Sequence, residues 1–187
     1  APGAALEKNG KCVIILPGPP GELAPMFNES VRGFLKKYSD GAIVSHTVNI
    51  IGMGESSVAE EIENMFDAKN PTVAPYAKSG EVRLRITAKA ETADEADRMC
   101  APVVDEICSR LGDVVYGTDM NGIEERVVAL LKEKGKKIAT AESCTAGYIP
   151  KRLTDIPGAS EVFECGIVSY SNDIKTKLLG VSPKTFE

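Results

Sequence analysis

The 187-residue sequence contains no apolar run long enough to span a bilayer and no charged-then-apolar leader, so nothing in it marks membrane insertion or secretion. Its five cysteines (Cys12, Cys100, Cys108, Cys144, Cys165) are odd in number, scattered, and include no Cys-x-x-Cys pair. Reduced thiols in the cytoplasm are the natural reading, and a zinc site is not expected. Positive charge is short: 22 Lys and Arg stand against 27 Asp and Glu, a net charge of −5 with pI near 5.1. That balance argues against broad binding to nucleic acid or to anionic membranes. Histidine is nearly absent; the lone His46 sits in an alternating strand-like run, as a structural residue.

What chemistry is present gathers between residues 138 and 181. Ser143 lies in Ala141-Glu142-Ser143-Cys144-Thr145, after a β-like run at 137–140 and before a helix expected over 145–153. A hydroxyl at such a corner faces unpaired backbone N–H groups and the positive end of the helix dipole, which suits an oxyanion or a phosphate. With no histidine nearby, the amine of Lys175 is the available activator, which points to a Ser/Lys amidohydrolase site. Plainer readings stand beside it. A serine at a helix start is commonly an N-cap. Cys144 is a rival nucleophile at the same dipole, or simply a small buried hydrophobe. Lys175, within Asn172-Asp173-Ile174-Lys175, would ordinarily be a solvated helix-surface lysine.

The chain divides into three segments. Residues 1–38 offer a buried strand at 11–16, a loop at 17–22 and a helix over 23–38 with Pro25 in its first turn. Residues 39–118 read as β-α-β-β-α-β, the order of a ferredoxin-like sandwich. Strands are expected at 42–51, 72–77, 81–90 and 113–116, with a turn at Lys78-Ser79-Gly80. Capping boxes at Ser57-x-x-Glu60 and Thr92-x-x-Glu95 open helices to about 66 and 111, and Pro102 should kink the second. Residues 119–187 alternate helix and strand: 123–134, 137–140, 145–153, 162–169 and 171–179. That alternation predicts an α/β layer with its site at the strand C-terminal ends. The expected fold class is therefore α/β and α+β, a ferredoxin-like middle domain flanked by partial α/β domains. Acidity belongs to the middle: 7 Lys and Arg against 14 Asp and Glu lie between 39 and 118.

The runs AESCTAG (141–147), LTDIPGAS (153–160) and GIVSYSNDIKTKLLGV (166–181) resemble the amidase domain of the CinA family of competence/damage-inducible proteins. That domain is similar to nicotinamide mononucleotide (NMN) deamidases, which hydrolyse the carboxamide to nicotinate mononucleotide and ammonia without metal or cofactor. Carried over by motif, the resemblance implies Ser143 as nucleophile, Lys175 as general base and Tyr170 as a supporting donor. It implies that Thr145 and Gly147 lie near the substrate at the helix start, with Gly158 and Ser160 in a neighbouring loop. The sequence departs from the family at Ala146, where the motif has glycine; the added methyl narrows the approach of substrate to backbone.

The resemblance extends, less specifically, to the first segment. Its LPGPPGE run (16–22) is similar to the closing portion of a molybdopterin-binding-like domain, which CinA proteins associate with ADP-ribose pyrophosphatase activity. The Gly-rich and acidic motifs for that activity are absent here, so none is assigned. The middle segment corresponds to the family's KH-like domain. A KH module clamps phosphates with a GxxG loop, but the matching corner is Gly52-Met53-Gly54-Glu55 in an acidic segment. No nucleic-acid binding is expected; a spacer or homodimer-forming role through a sheet edge is. Both ends read as cut, with 119–187 only the first part of an amidase domain. Two functions follow: an amidohydrolase of a small nucleotide (NMN), incomplete here, or a non-catalytic assembly module joining two enzyme domains.

Overall fold

A computed structural model describes residues 2–38, 40–78 and 80–186. Strands β1 (Ala4–Lys8) and β2 (Lys11–Ile15) form an antiparallel hairpin with Leu6 opposite Val13. Asn9 and Gly10 join them at φ +53° and +71°, the double positive-φ turn whose twist matches that of the strands. The strand expected at 11–16 is present but not buried. Its alternate residues Val13 and Ile15 are exposed, because a two-stranded ribbon has only one face to offer its helices. The helix expected over 23–38 is broken into α1 (Pro20–Met26), a π-helical turn (Phe27–Val31) and α2 (Arg32–Leu35). Pro25 lies well inside α1, removes a ladder N–H, and the helix widens just beyond it.

The middle segment has the expected ferredoxin-like order. Its elements are β3 (Ala42–Ile51), α3 (Glu55–Glu61), β4 (Thr72–Lys78), β5 (Glu81–Ala90), α4 (Ala93–Leu111) and β6 (Val115–Thr118). The strands pair antiparallel in the order β4-β5-β3-β6. Ser79, at the expected hairpin turn, lies outside the described residues. Period-2 alternation on β5 turns Val82, Leu84, Ile86 and Ala88 inward beside Val48 and Ile50 of β3. Ala96, Cys100, Ile107 and Leu111 of α4, with Val58 and Ile62, close this core from the helical side.

Helix starts divide between expected and unexpected. Thr92 caps α4 as expected, its hydroxyl accepting from Glu95 N–H at 3.2 Å, and the helix runs unbroken across Pro102. At α3 the cap is Gly54, in extended conformation, rather than Ser57. Glu55 already supplies the acidic first turn, and the Ser57-x-x-Glu60 pattern falls inside the helix.

The last segment holds α5 (Ile123–Glu133), β7 (Ile138–Glu142), α6 (Tyr148–Thr154), β8 (Phe163–Val168) and α7 (Asn172–Leu179). β7 and β8 pair parallel, from Ile138 opposite Phe163 to Glu142 opposite Val168. A small cluster of Val128, Leu153, Ala159 and Val162 packs α5 and α6 against the strand starts. Among the described residues no helix is long and apolar enough to cross a membrane.

The connector from β6 to α5 is strapped to the middle sheet. Asp119, at φ +54°, donates its N–H to the Thr47 carbonyl at 2.8 Å, and its carboxylate accepts from Thr47 N–H at 2.7 Å. Asn49 and Arg83 donate to the Met120 carbonyl at 3.0 and 3.2 Å, and Arg83 also to that of Asn121 at 3.0 Å. His46 completes the strap, its Nδ1 2.6 Å from Asp119 and its Nε2 2.8 Å from Asp97 of α4.

Protonated, His46 donates to both carboxylates; neutral, it has one N–H and turns a lone pair on the other. The bond to Asp119, then that to Asp97, raise its pKa above the ordinary histidine value, against the opposing pull of partial burial. Its stabilising contribution is therefore full below the unfolded-chain value of about 6.5 and lost as pH rises through the higher folded value. Urea titrations at a series of pH values above 6.5 should show declining stability in the wild type and a flatter profile in His46→Gln. Equal slopes would remove His46 from the strap.

Candidate functional site

Two parallel strands that end in register send their following loops out of the same sheet edge. β7 ends at Glu142, opposite Val168 at the end of β8. Ser143 is the next residue after one strand, and Ser169 and Tyr170 follow the other. Ser169 is buried; its N–H and hydroxyl donate to the Glu142 carbonyl at 2.7 and 3.3 Å. That bond draws the two exits together. Ser171 then caps α7, its hydroxyl accepting from Ile174 N–H at 3.4 Å, and places Lys175 in the helix's first turns.

The side chains at this edge differ in exposure. Ser143 is half-buried, Thr145 is exposed, and Tyr170 is 75% exposed. Lys175 is half-buried, with Nζ 5.9 Å from the centre of the Phe186 ring. Among the described residues no hydrogen bond or ion pair joins Ser143 to Tyr170 or Lys175. The fold brings the three to one edge without locking them into a bonded triad. The thiol of Cys144 is exposed, so the reading of that residue as a buried hydrophobe fails.

α6 starts later than expected, at Tyr148, after a tight turn through residues 143–147. Ala146 donates its N–H to the Ser143 carbonyl at 3.2 Å, and Tyr148 to that of Thr145 at 3.0 Å. Ala146 and Gly147 both take left-handed conformation, φ +49° and +91°. A Cβ on Gly147 would stand 3.3 Å from the Val168 side chain, so glycine serves there for close approach to β8 as well as for its φ.

The helix start is not an open anion site. The carboxylate of Glu142, only 5% exposed, turns back over the turn and accepts from Ile149 N–H at 3.1 Å. Burial pushes its pKa up. The Thr145 hydroxyl and the backbone N–H groups of Ile149, Tyr148 and Gly147 outweigh that, so it sits below the usual carboxylate range. The N–H groups that the sequence alone leaves unpaired at this corner therefore face a carboxylate of the chain itself.

Gly158 and Ser160 stand elsewhere. Gly158 precedes, and Ser160 lies within, a 3-10 turn (Ala159–Glu161) that leads into the start of β8, beside the Ile138 end of β7. In a parallel pair that is the edge opposite Ser143. Gly158, at φ +80°, leaves room for the Lys132 ammonium, which pairs with Glu161 at 2.7 Å.

One contact that the sequence did not signal links this segment to the middle sheet. Arg152 of α6 pairs with Glu124 at 2.6 Å and approaches Glu81 of β5 to 4.0 Å. Glu81 in turn accepts from the Tyr116 hydroxyl at 3.1 Å. Ion pairs between elements so distant in sequence have no periodic signature. Among the described residues no group of three or more His, Cys, Asp or Glu side chains is disposed to hold a metal ion.

Comparison with known proteins adds a family frame. Residues 45–117 match the family described as the damage-inducible protein CinA KH domain, and residues 120–187 match the CinA C-terminal domain. A putative competence-damage inducible protein of Clostridium beijerinckii is 55% identical over 183 residues, covering 97% of this chain and 45% of that protein. A CinA-like protein of Dictyoglomus turgidum is 47% identical over 188 residues, covering 100% and 46%. The chain thus spans a little under half the length of these relatives. Among solved structures, competence/damage inducible protein CihA from Agrobacterium tumefaciens is 41% identical, covering 34% of this chain and 39% of that one, with TM-score 0.34. A likeness that slight carries no argument about the fold.

Ala146 yields a test. A non-glycine residue in left-handed conformation costs roughly 1–2 kcal/mol, whereas an added glycine loosens the unfolded chain by about 0.4–1 kcal/mol. Ala146→Gly should be neutral or stabilising by up to about 1.5 kcal/mol, opposite in sign to an ordinary Ala→Gly change. Thermal unfolding reads it; a clear loss of stability would mean that the turn does not hold Ala146 at positive φ.

Proposed function

This chain belongs to the CinA family, and from that premise we propose that residues 138–181 are the nucleophile-bearing part of an amidohydrolase that converts NMN to nicotinate mononucleotide and ammonia. Ser143 Oγ attacks the carboxamide carbon while the Lys175 side chain takes the hydroxyl proton. The tetrahedral intermediate collapses as that proton passes to the departing nitrogen, which leaves as ammonia. Water then enters by the same route: Lys175 takes a proton from it, the acyl–Oγ bond breaks, and the proton returns to Ser143. Tyr170 supports the developing oxyanion, with Thr145 and Gly147 alongside the substrate. This route draws on side chains and water alone.

The observation that carries the reading is the register of β7 and β8, which ends the strands level at Glu142 and Val168, so that Ser143 leaves one strand and Ser169 and Tyr170 leave the other from the same sheet edge. Working partners on this reading are a small cytoplasmic nucleotide and a second copy of the chain, with neither nucleic acid nor membrane involved. The activity is that of the natural-length protein. A second reading, an assembly module without catalysis, draws support from the distribution of core. The middle segment buries Ile50, Leu84, Ile86 and Ile107 completely, whereas among the described residues the last segment has only its small cluster.

Nicotinate mononucleotide formation from NMN by the natural-length protein, beside Ser143→Ala, separates the two. Product from the wild type should fall by at least about a thousandfold in Ser143→Ala, as loss of a nucleophile does. Product unchanged by the substitution would remove Ser143 from the role, and none from either protein would favour the assembly reading.

A further inference from the structure

Among the described residues Glu142 is the one buried carboxylate, it adjoins the proposed nucleophile, and the reaction as written gives it no part. Its main-chain carbonyl is held by both the N–H and the hydroxyl of Ser169, at the mouth of β8. Its side chain reaches forward over the turn to the first residues of α6, where Oε2 takes the Ile149 N–H at 3.1 Å. Oε1 is buried with no hydrogen-bond partner among the described residues. A single residue therefore spans three elements: the end of β7, the exit from β8 and the start of α6.

The turn so enclosed cannot hold itself. Its internal bonds are two, Ala146 N–H to Ser143 and Tyr148 N–H to Thr145, and Ala146 sits in a conformation that its Cβ disfavours. Strained left-handed backbone persists only where surrounding contacts over-determine it. Here those contacts are the Glu142 carboxylate on one side and Val168 against Gly147 on the other. A carboxylate is suited to the task because it accepts several N–H groups at once, where a glutamine of the same shape has one acceptor and one conflicting donor.

We propose that Glu142 is a positioning residue for Ser143: its buried carboxylate closes residues 143–147 into the turn that presents the Ser143 hydroxyl at the sheet edge. The proposal rests on the amidohydrolase reading for its catalytic meaning but not for its structural content. It also accounts for a carboxylate beside a nucleophile without making it a base. Oε1 is buried, and Oε2 is engaged with backbone.

The test uses the natural-length protein with two readouts: the labelling rate of Ser143 by a serine-directed fluorophosphonate, with Ser143→Ala as background, and amide hydrogen exchange at Gly147, Tyr148 and Ile149. Glu142→Gln should slow labelling about tenfold to a hundredfold, the scale on which a misplaced reacting group loses rate. It should also speed exchange at those three amides, with the middle-sheet amides unchanged. Glu142→Asp, which keeps the charge but shortens the reach, should not restore either. Wild-type labelling and exchange in Glu142→Gln would overturn the proposal, as would full rescue by Glu142→Asp. A wild type that never labels would count against the amidohydrolase reading. The exchange result would then decide Glu142 alone: faster exchange in Glu142→Gln supports its hold on the turn, and unchanged exchange overturns it.

Discussion

The ten-residue antiparallel ladder between β3 and β5, from Ala42 opposite Ala90 to Ile51 opposite Glu81, is the constraint on which the other elements depend. Register in a sheet is strict because a slip of one residue turns every side chain to the wrong face. With this register, Val48, Ile50, Leu84 and Ile86 all face α4, while Asn49, Thr47 and Arg83 are left to bind the connector. Glu81, at the ladder's last pair, reaches both Tyr116 and the neighbourhood of Arg152. The same strands thus supply the apolar face that stabilises the middle segment and the polar groups that set where the last segment begins.

In the last segment the organising element is smaller. Two parallel strands with exposed neighbours such as Val168, Tyr170 and Leu178 contribute little burial of their own. What they contribute is alignment: equal strand ends put the Ser143 turn and the Tyr170–Lys175 exit at one edge. The packing of α5 and α6 gathers at the other edge, around Leu153, Ala159 and Val162. The proposed chemistry and the packing lie at opposite ends of one short sheet, and Gly158 and Ser160 fall on the packing side.

Much of this was legible in the sequence, and the reasons differ by element. Alternation at Val82-Leu84-Ile86 and the cap at Thr92 carry local signals strong enough to place β5 and α4. The hairpin β1–β2 has a turn signal in Asn9-Gly10, but residues 4–8 mix Ala, Leu, Glu and Lys without the alternation that marks a strand. The start of α6 was placed three residues early. Propensity cannot report that Ala146 and Gly147 adopt left-handed backbone, which depends on Val168 and Glu142 from outside the turn. The same limit applies to the helix start as an anion site. That a carboxylate folds back onto those amides is a tertiary fact. So is the Arg152 bridge, whose partners lie 28 and 71 positions away in the chain.

The strapped connector carries one more consequence. Residues 119–121 are bonded along their length to Thr47, Asn49 and Arg83, and Asn121 donates onward to Glu125 at 2.9 Å. A join of that kind has little slack, unlike a flexible tether whose ends wander over many ångströms. Displacing the start of α5 therefore requires breaking bonds to both central strands of the middle sheet, β3 and β5.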